Sequence, residues 1–446
     1  MAETGNRKPG ERAVSAVEAD RQRAPLLWRE WMALPSWEER EAAAAGERFR
    51  SPAFVREMIR HGHDLIVDEP ERARALGRLA EELASHLPAA KSLRLSLAAR
   101  AGVLLTEELL RRGLTAEAES LVEQRIEALP AGRFALGALA LCRYALGLVR
   151  RAQHRYQEAQ ILLRRTLRPR FRHLGGLEQV GEVWGAFGFL TMDVGEYGWG
   201  LYFLQLSQRV LEAVEEVRPL PRLQVAAGMA VCLVILGEPE RAAEVVAEAR
   251  RLYRHLDRLP RYRAEATEGD LALLSGDLTA AERIYLRSLK RFLSAGAQHD
   301  AVRIGIRLAL LYRQADRGDR LRKLAWLLKR LDGPGLHRRN HTLLAFGFQV
   351  AMVPNPGVEP ALEFAIDYLE RSRHNPDLPF YPAGLAVLTD WSSIEEPERR
   401  LLCRTAGVPE EAAGQAGQEI RPDHRDLLSW TLETLKGARL VFPDES

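Results

Sequence analysis

One device recurs along this chain of 446 residues and narrows what it can fold into. The pattern small-x-x-x-x-small stands at Asp68/Ala73, Gly113/Ala118, His154/Ala159, Gly195/Gly200, Gly237/Ala242 and Gly276/Ala281, with a weaker copy at Asp316/Leu321. Successive copies begin 45, 41, 41, 42, 39 and 40 residues apart. Each lies between two amphipathic stretches. A fixed period of this length marks stacked helical hairpins, none of which can bury its apolar face alone. Such an array favours a scaffold or sensor over an enzyme.

Composition agrees. Leu, Ala, Arg and Glu dominate, all good helix formers, and runs of β-branched or aromatic residues at period two are missing. The chain reads as all-α. Hydrophobic residues make up 46% and charged residues 28%, which suits a well-folded array rather than a disordered one. The formal net charge is +3, from 64 basic and 61 acidic residues. That balance gives no general pull toward nucleic acid. Only 6 of the bases are Lys, leaving 58 Arg, the side chain suited to bidentate anion contacts.

Cys142, Cys232 and Cys403 are far apart and form no C-x-x-C pair, so no disulfide framework is expected. No apolar run reaches the roughly 18 residues of a membrane span. The first residues mix acids and bases without an apolar core, unlike a signal peptide. The expected compartment is the cytoplasm.

Breakers divide the chain. Residues 1–24 are polar and are expected to be a disordered tail. Residues 25–53 read as a helical cap over the first hairpin. The repeat array covers 54–373, in helix pairs at roughly 54–87, 91–129, 133–168, 175–215, 219–256, 260–295, 298–331 and 337–373. The segment Glu-Pro-Glu-Arg-Ala occurs at 69–73 and at 238–242, each before a second helix. There Pro suits the first turn and the acids suit the positive helix end. Prolines loosen the pattern after Pro354, and 374–446 reads as an irregular helical C-terminal cap.

The copy around the fourth turn is the most explicit. It reads Trp184-x-x-Phe187-Gly188-x-x-Thr191, then Gly195, Tyr197, Gly200, Leu204 and Ser207. This resembles the tetratricopeptide repeat, whose first helix carries W-x-x-L-G-x-x-Y and whose second places small residues opposite that glycine. Other copies match in part: Gly147 with Ala159; Ala230 with Ala242 and Ala249; Gly269 with Ala281, Tyr285 and Ser288; Ala309 with Tyr312. Trp appears in one copy only, and Glu268 stands where a large apolar group is expected. The physics fits the letters, because two helices approach closely only where both carry small side chains. The resemblance implies a right-handed α-solenoid of antiparallel hairpins. The period exceeds the family's usual length of about 34 residues. The excess amounts to about two helical turns per repeat, one for each helix. Long repeats of this kind are similar to those of bacterial regulatory proteins that sense a peptide, a protein or a small effector.

In that family the first helix of each pair lines the concave groove. Carried over copy by copy, its contact positions fall on Arg100, Glu107, Tyr144, Arg151, Glu182, Phe189, Gln224, Arg263, Asp270, Arg303 and Arg313. The resemblance therefore implies a protein- or peptide-binding adaptor with an Arg-rich groove and a partner bearing acidic groups. A regulatory sensor is one alternative. Another is a nucleic-acid-binding solenoid using the basic bands 143–172 and 303–339, which hold nine Arg with one acid and eleven bases with three acids. Between them, 173–217 holds seven acids and one base.

Aromatics gather at 184–203. Trp184 and Phe187 take core positions of the repeat, whereas Trp199 does not and suits an exposed anchor. No catalytic, cofactor or metal site is expected. His61-Gly62-His63-Asp64 lacks further ligands at zinc-like spacing. His337 and His341 lack the Glu of H-E-x-x-H.

Overall fold

The computed structural model describes residues 9–330, apart from 67–68, 113, 154, 168–176, 215–218, 254–257, 275, 296 and 316, together with scattered positions from 370 to 433. Among the described residues there is no strand. Two helices come first, α1 (Pro9–Met32) and α2 (Trp37–Ala44). Helix pairs follow: α3 (Pro52–Leu65) with α4 (Pro70–His86), α5 (Lys91–Arg111) with α6 (Thr115–Ala128), α7 (Leu136–Ala152) with α8 (Tyr156–Thr166), and α9 (Leu177–Asp193) with α10 (Tyr197–Glu212). Next come α11 (Pro219–Ile235) with α12 (Pro239–Tyr253), α13 (Arg258–Leu274) with α14 (Leu278–Ser294), and α15 (Gln298–Gln314) with α16 (Gly318–Arg330). These pairs coincide with the expected ones through residue 330. The expected pair at 337–373 and the cap at 374–446 lie outside the described residues, apart from the scattered positions.

The turn device explains why each pair breaks where it does. The Gly195 N–H donates to Met192 O at 3.0 Å and the Glu196 N–H to Thr191 O at 2.9 Å. Gly237 and Glu238 repeat the two bonds on Val234 and Leu233, as do Gly276 and Asp277 on Leu273 and Ala272. This paired closure satisfies the last carbonyls of a helix and needs a left-handed residue. Gly195, Gly237 and Gly276 supply it with φ of 80°, 82° and 78°. The second small residue then takes the first bond of the next helix, Gly200 N–H to Glu196 O, Ala242 to Glu238 and Ala281 to Asp277.

The small residues also set the helix–helix distance. A Cβ on Gly188 would lie 2.5 Å from Leu204 Cγ and 3.2 Å from Gly200 O. A Cβ on Gly269 would lie 2.6 Å from the Tyr285 ring. The seams of α9–α10 and α13–α14 therefore exclude even a methyl group.

The chain divides into two compact units. One includes Met1–Arg111 and Glu117–Leu146; the other includes Arg112–Ala116, Gly147–Arg172 and the chain from Gly176. In the first unit α1 packs on α3, and α3, α4 and α5 pack on one another. In the second, each A helix meets the next, α9 with α11, α11 with α13 and α13 with α15. The B helices α10 and α14 pack on the A helices that follow them, α11 and α15.

The stretch expected to be a disordered tail through residue 24 is helical from Pro9. Two anchors explain the difference. Ala24, Leu27 and Trp31 are buried against the first hairpin. The Asp20 carboxylate accepts the Ala53 N–H at 3.1 Å. Trp31 donates its indole N–H to Arg40 O at 2.7 Å, and Arg40 in turn donates to the carbonyls of Met32 and Leu34 at the end of α1. Fixing one end of a sequence rich in Ala, Glu and Arg lets the helix propagate outward at little cost.

Candidate binding face

The A helices bring charged residues into register, and the structure ties many of them together. In the first unit, His63 Nδ1 on α3 lies 3.2 Å from the Glu107 carboxylate on α5. Arg100 is half-buried on α5. Tyr144, expected to line a groove, is 6% exposed and belongs to the core of α7. A phenol ring on an otherwise apolar helix stretch is drawn in by the area it buries.

In the second unit, Arg151 at the end of α7 grips Asp193 at the end of α9, with Nε–Oδ2 of 2.5 Å and Nη2–Oδ1 of 3.1 Å. The same guanidinium stands 5.6 Å from the centroid of the Phe189 ring. Two of the expected contact residues, Arg151 and Phe189, thus meet around an acid that the spacing did not single out. The side chains of Arg151 and Asp193 are 30% and 32% exposed, so the cluster is open to a ligand. Asp270 on α13 repeats the theme. It accepts the Tyr285 hydroxyl at 2.7 Å and lies 2.6 Å from Arg307 on α15. Burial, reinforced by the Asp270 charge, pushes the Tyr285 phenol far above its usual range. Glu182 is half-buried and Gln224 is exposed. Arg263, Arg303 and Arg313 lie on α13 and α15, and their side chains fall outside the described residues.

The B helices are tied in the same way. Arg125 on α6 clasps Glu81 on α4 through bonds of 2.8 and 2.6 Å. Arg317 and Arg320 at α16 converge on Glu282 of α14. Arg74 on α4 makes a bidentate pair with Glu108, which is fully buried on α5. A sequence signal for these partners exists. Arg151 and Asp193 stand 42 residues apart, and Glu81 and Arg125 stand 44 apart. Opposite charges one repeat period apart are the mark of a tie between hairpins.

The histidine cluster is absorbed into packing. The His61 ring stacks on Trp28 with centroids 4.1 Å apart and planes 8° apart, and its Nε2 lies 3.2 Å from Glu57. Burial opposes ionisation of Glu57, but hydrogen bonds from His61 and Arg60 outweigh it and hold the carboxyl at about 2. Among the described residues no three His, Cys, Asp or Glu side chains come together as a metal site requires. Cys142 and Cys232 are buried, and burial pushes their thiols up to about 11 and about 12. His337, His341 and Cys403 lie outside the described residues. Among the described residues no helix is long and apolar enough to cross a membrane.

A chain of rings runs through α9 and α10. Trp184 stacks on Phe203 at 5.7 Å, Phe187 meets Phe203 at 5.3 Å, and Trp199 stacks on Phe203 at 5.8 Å. Tyr202 lies edge-on to Trp199 at 5.8 Å.

No family model and no curated protein matches this chain. Solved structures do. A Rap protein complexed with competence and sporulation factor superposes with a TM-score of 0.57 at 15% identity, covering 87% of this chain and 100% of that one. Aspartyl phosphate phosphatase F from Bacillus subtilis gives 0.47 at 12% identity, with 88% and 95% covered. A signal-transduction ATPase with a tetratricopeptide-repeat sensor from Pyrococcus horikoshii gives 0.41 at 13% identity, with 81% and 54% covered. With the turn and seam geometry above, the first likeness identifies a tetratricopeptide-like helical-repeat fold.

Proposed function

We propose that this chain is a non-catalytic regulatory adaptor that binds a peptide or protein segment on the A-helix face. The observation that carries this is the Arg151–Asp193–Phe189 cluster. A guanidinium held bidentate beside a ring, and partly open to solvent, is suited to an acidic group of a partner. Ties between successive A helices fix the cluster before any ligand arrives, so little ordering entropy opposes binding. The fold is one that, in a Rap protein, has been solved together with competence and sporulation factor. The nucleic-acid reading has less support. In the band 143–172, Arg150 and Arg155 pair with Glu158. Arg317 and Arg320 of the other band pair with Glu282.

The test begins with affinity capture and identification of the bound partner, followed by titration with purified components. Arg151→Ala or the exposed Gln224→Glu is expected to weaken binding of an acidic partner about tenfold, a loss of about 1.4 kcal/mol. Arg164→Ala with Arg165→Ala on α8, both exposed, is expected to leave binding unchanged. The opposite pattern moves the site to the B-helix face.

A further inference from the structure

Two successive B helices expose opposite charges. On α12, Glu240, Glu244 and Glu248 stand at i, i+4 and i+8, and all are exposed. They form one stripe on the side away from the buried Ala242 and Ala249. On α14, Arg283, Arg287 and Lys290 stand at i, i+4 and i+7 and are exposed as well. Their stripe faces away from the buried Ala281, Tyr285, Ser288 and Phe292. Both helices pack on α13, so the stripes are neighbours on the B-helix face. They share a register. Counted from the turn residues Ala242 and Ala281, Glu244 matches Arg283 and Glu248 matches Arg287.

The charges are sorted by helix and left unpaired. Elsewhere on these helices acids and bases find each other: Arg241 pairs with Glu238, Arg291 with Glu265, and Glu282, the single acid of α14, with Arg317 and Arg320. Among the described residues no ion pair holds Glu240, Glu244, Glu248, Arg283, Arg287 or Lys290. Arg287 also borders a cavity that it shares with Glu265 and Glu268, and it pairs with neither. Beyond Arg241, bases return on α12 only at Arg250 and Arg251. Arg251 shares the register of Lys290, so the match of opposite charges ends there. On the far side of α14, the exposed Lys323 of α16 repeats the charge of Arg283, with Asp319 one turn before it. On the far side of α12, α10 carries the uncharged Tyr202 at the register of Glu244. Like charges four apart on one helix repel. Interleaved acids and bases would relieve that repulsion within each helix. Sorting them onto two helices leaves it for an outside stripe to relieve.

We infer that the α12–α14 side of the B-helix face is a self-association surface, on which a second copy of this chain docks across a two-fold axis. An isologous contact requires a patch that is its own complement, and an acidic stripe beside a basic one is such a patch. An axis running between the two helices and parallel to them lays α12 of each copy over α14 of the other. Glu244 then faces Arg283 of the second copy and Glu248 faces its Arg287, and the same pairs recur on the other side of the axis. The exposed Ala243 and Ala247 keep the α12 surface low beside its acids, and Leu286, 45% exposed, adds apolar area on α14. Any other occupant would need both stripes in the same order, which a second copy carries by symmetry. A phosphate backbone drawn to the bases would meet Glu240, Glu244 and Glu248 beside them. Exposed pairs of this kind set orientation and register more than strength, so the dimer is reversible and disperses with salt. The surface is independent of the A-helix face and of what that face binds.

The experiment is sedimentation velocity of the full chain at low and high ionic strength, with a circular dichroism melt of every variant. The expected result is a concentration-dependent dimer at low salt that falls to monomer at high salt. Glu244→Arg with Glu248→Arg makes both stripes basic, and Arg283→Glu with Arg287→Glu makes both acidic. Each pair is expected to weaken dimerisation about tenfold or more, because like charges then face each other. Mixing the two variants is expected to restore a dimer containing one copy of each, since every stripe again meets its opposite. All four changes in one chain are expected to restore the homodimer. Arg164→Glu with Arg165→Glu, on the exposed side of α8, is the control and is expected to leave the dimer unchanged. A wild-type chain that stays monomeric at low salt would overturn the assignment. So would a dimer that survives either pair of reversals, a mixture of the two variants that stays monomeric, or larger assemblies in place of a dimer.

Discussion

The hairpins α9–α10 and α13–α14 share one register and are filled by different chemistry. Gly188 and Gly269 correspond, as do Gly200 and Ala281, Leu204 and Tyr285, and Ser207 and Ser288. In α9–α10 the seam is apolar around Gly188, and further along it the Ser207 hydroxyl donates to Gly181 O at 2.7 Å. Leu204 is fully buried against Gly188, and Phe187 is buried one residue earlier. In α13–α14 the ring of Tyr285 takes the place of Leu204 and reaches Asp270 through its hydroxyl. Glu268 stands in the place of Phe187, and with Glu265, Ile284, Arg287, Ser288 and Arg291 it lines a cavity of about 200 Å³. The repeat therefore dictates where small residues must stand and leaves the filling of the seam open. Polar filling needs every group paired, and here Arg291 pairs with Glu265 while Arg307 pairs with Asp270.

The comparison can be broken at the α9–α10 seam first. Gly188→Leu is expected to destabilise by about 1–3 kcal/mol, because the added atoms must displace Leu204 and press on the Gly200 carbonyl. An unchanged thermal midpoint would mean that the seam is not where the register puts it. The polar seam offers a smaller, sharper test. Tyr285→Phe removes the hydroxyl that Asp270 accepts, and Asp270 keeps Arg307. The expected loss is about 1 kcal/mol, the usual worth of one hydrogen bond, read from denaturant unfolding. No loss would show that the aromatic body, not the hydroxyl, holds this hairpin.

Much of the fold was legible because its code is local. Gly195, Gly237 and Gly276 mark left-handed turns that other residues adopt at a cost. The small residue five positions on marks the close approach of the second helix. The candidate site was less legible. The repeat position named Arg151 and Phe189, which the structure brings together, but not the Asp193 between them, because a tie depends on which carboxylate stands one period away. Tyr144 was assigned to the groove by position alone, and burial drew it inward. The first half of α1 was missed because it lacks apolar periodicity, and the anchors of the helix, Asp20 to Ala53 and Trp31 to Arg40, are contacts that local patterning does not announce.

The central claim is that one register places Gly188 against the second helix of its own hairpin. The most direct test is a double-mutant cycle of Gly188→Ala and Leu204→Ala, read as local opening free energies from amide hydrogen exchange across α9 and α10. Alone, the new Cβ at 188 meets Leu204 Cγ at 2.5 Å, and Leu204→Ala leaves a cavity at a fully buried site. Together, the methyl group enters the space that the leucine vacates. The account predicts that the double variant is more stable than the sum of the two losses by about 1 kcal/mol or more. Additivity within about 0.5 kcal/mol, the behaviour of sites that do not touch, would contradict it.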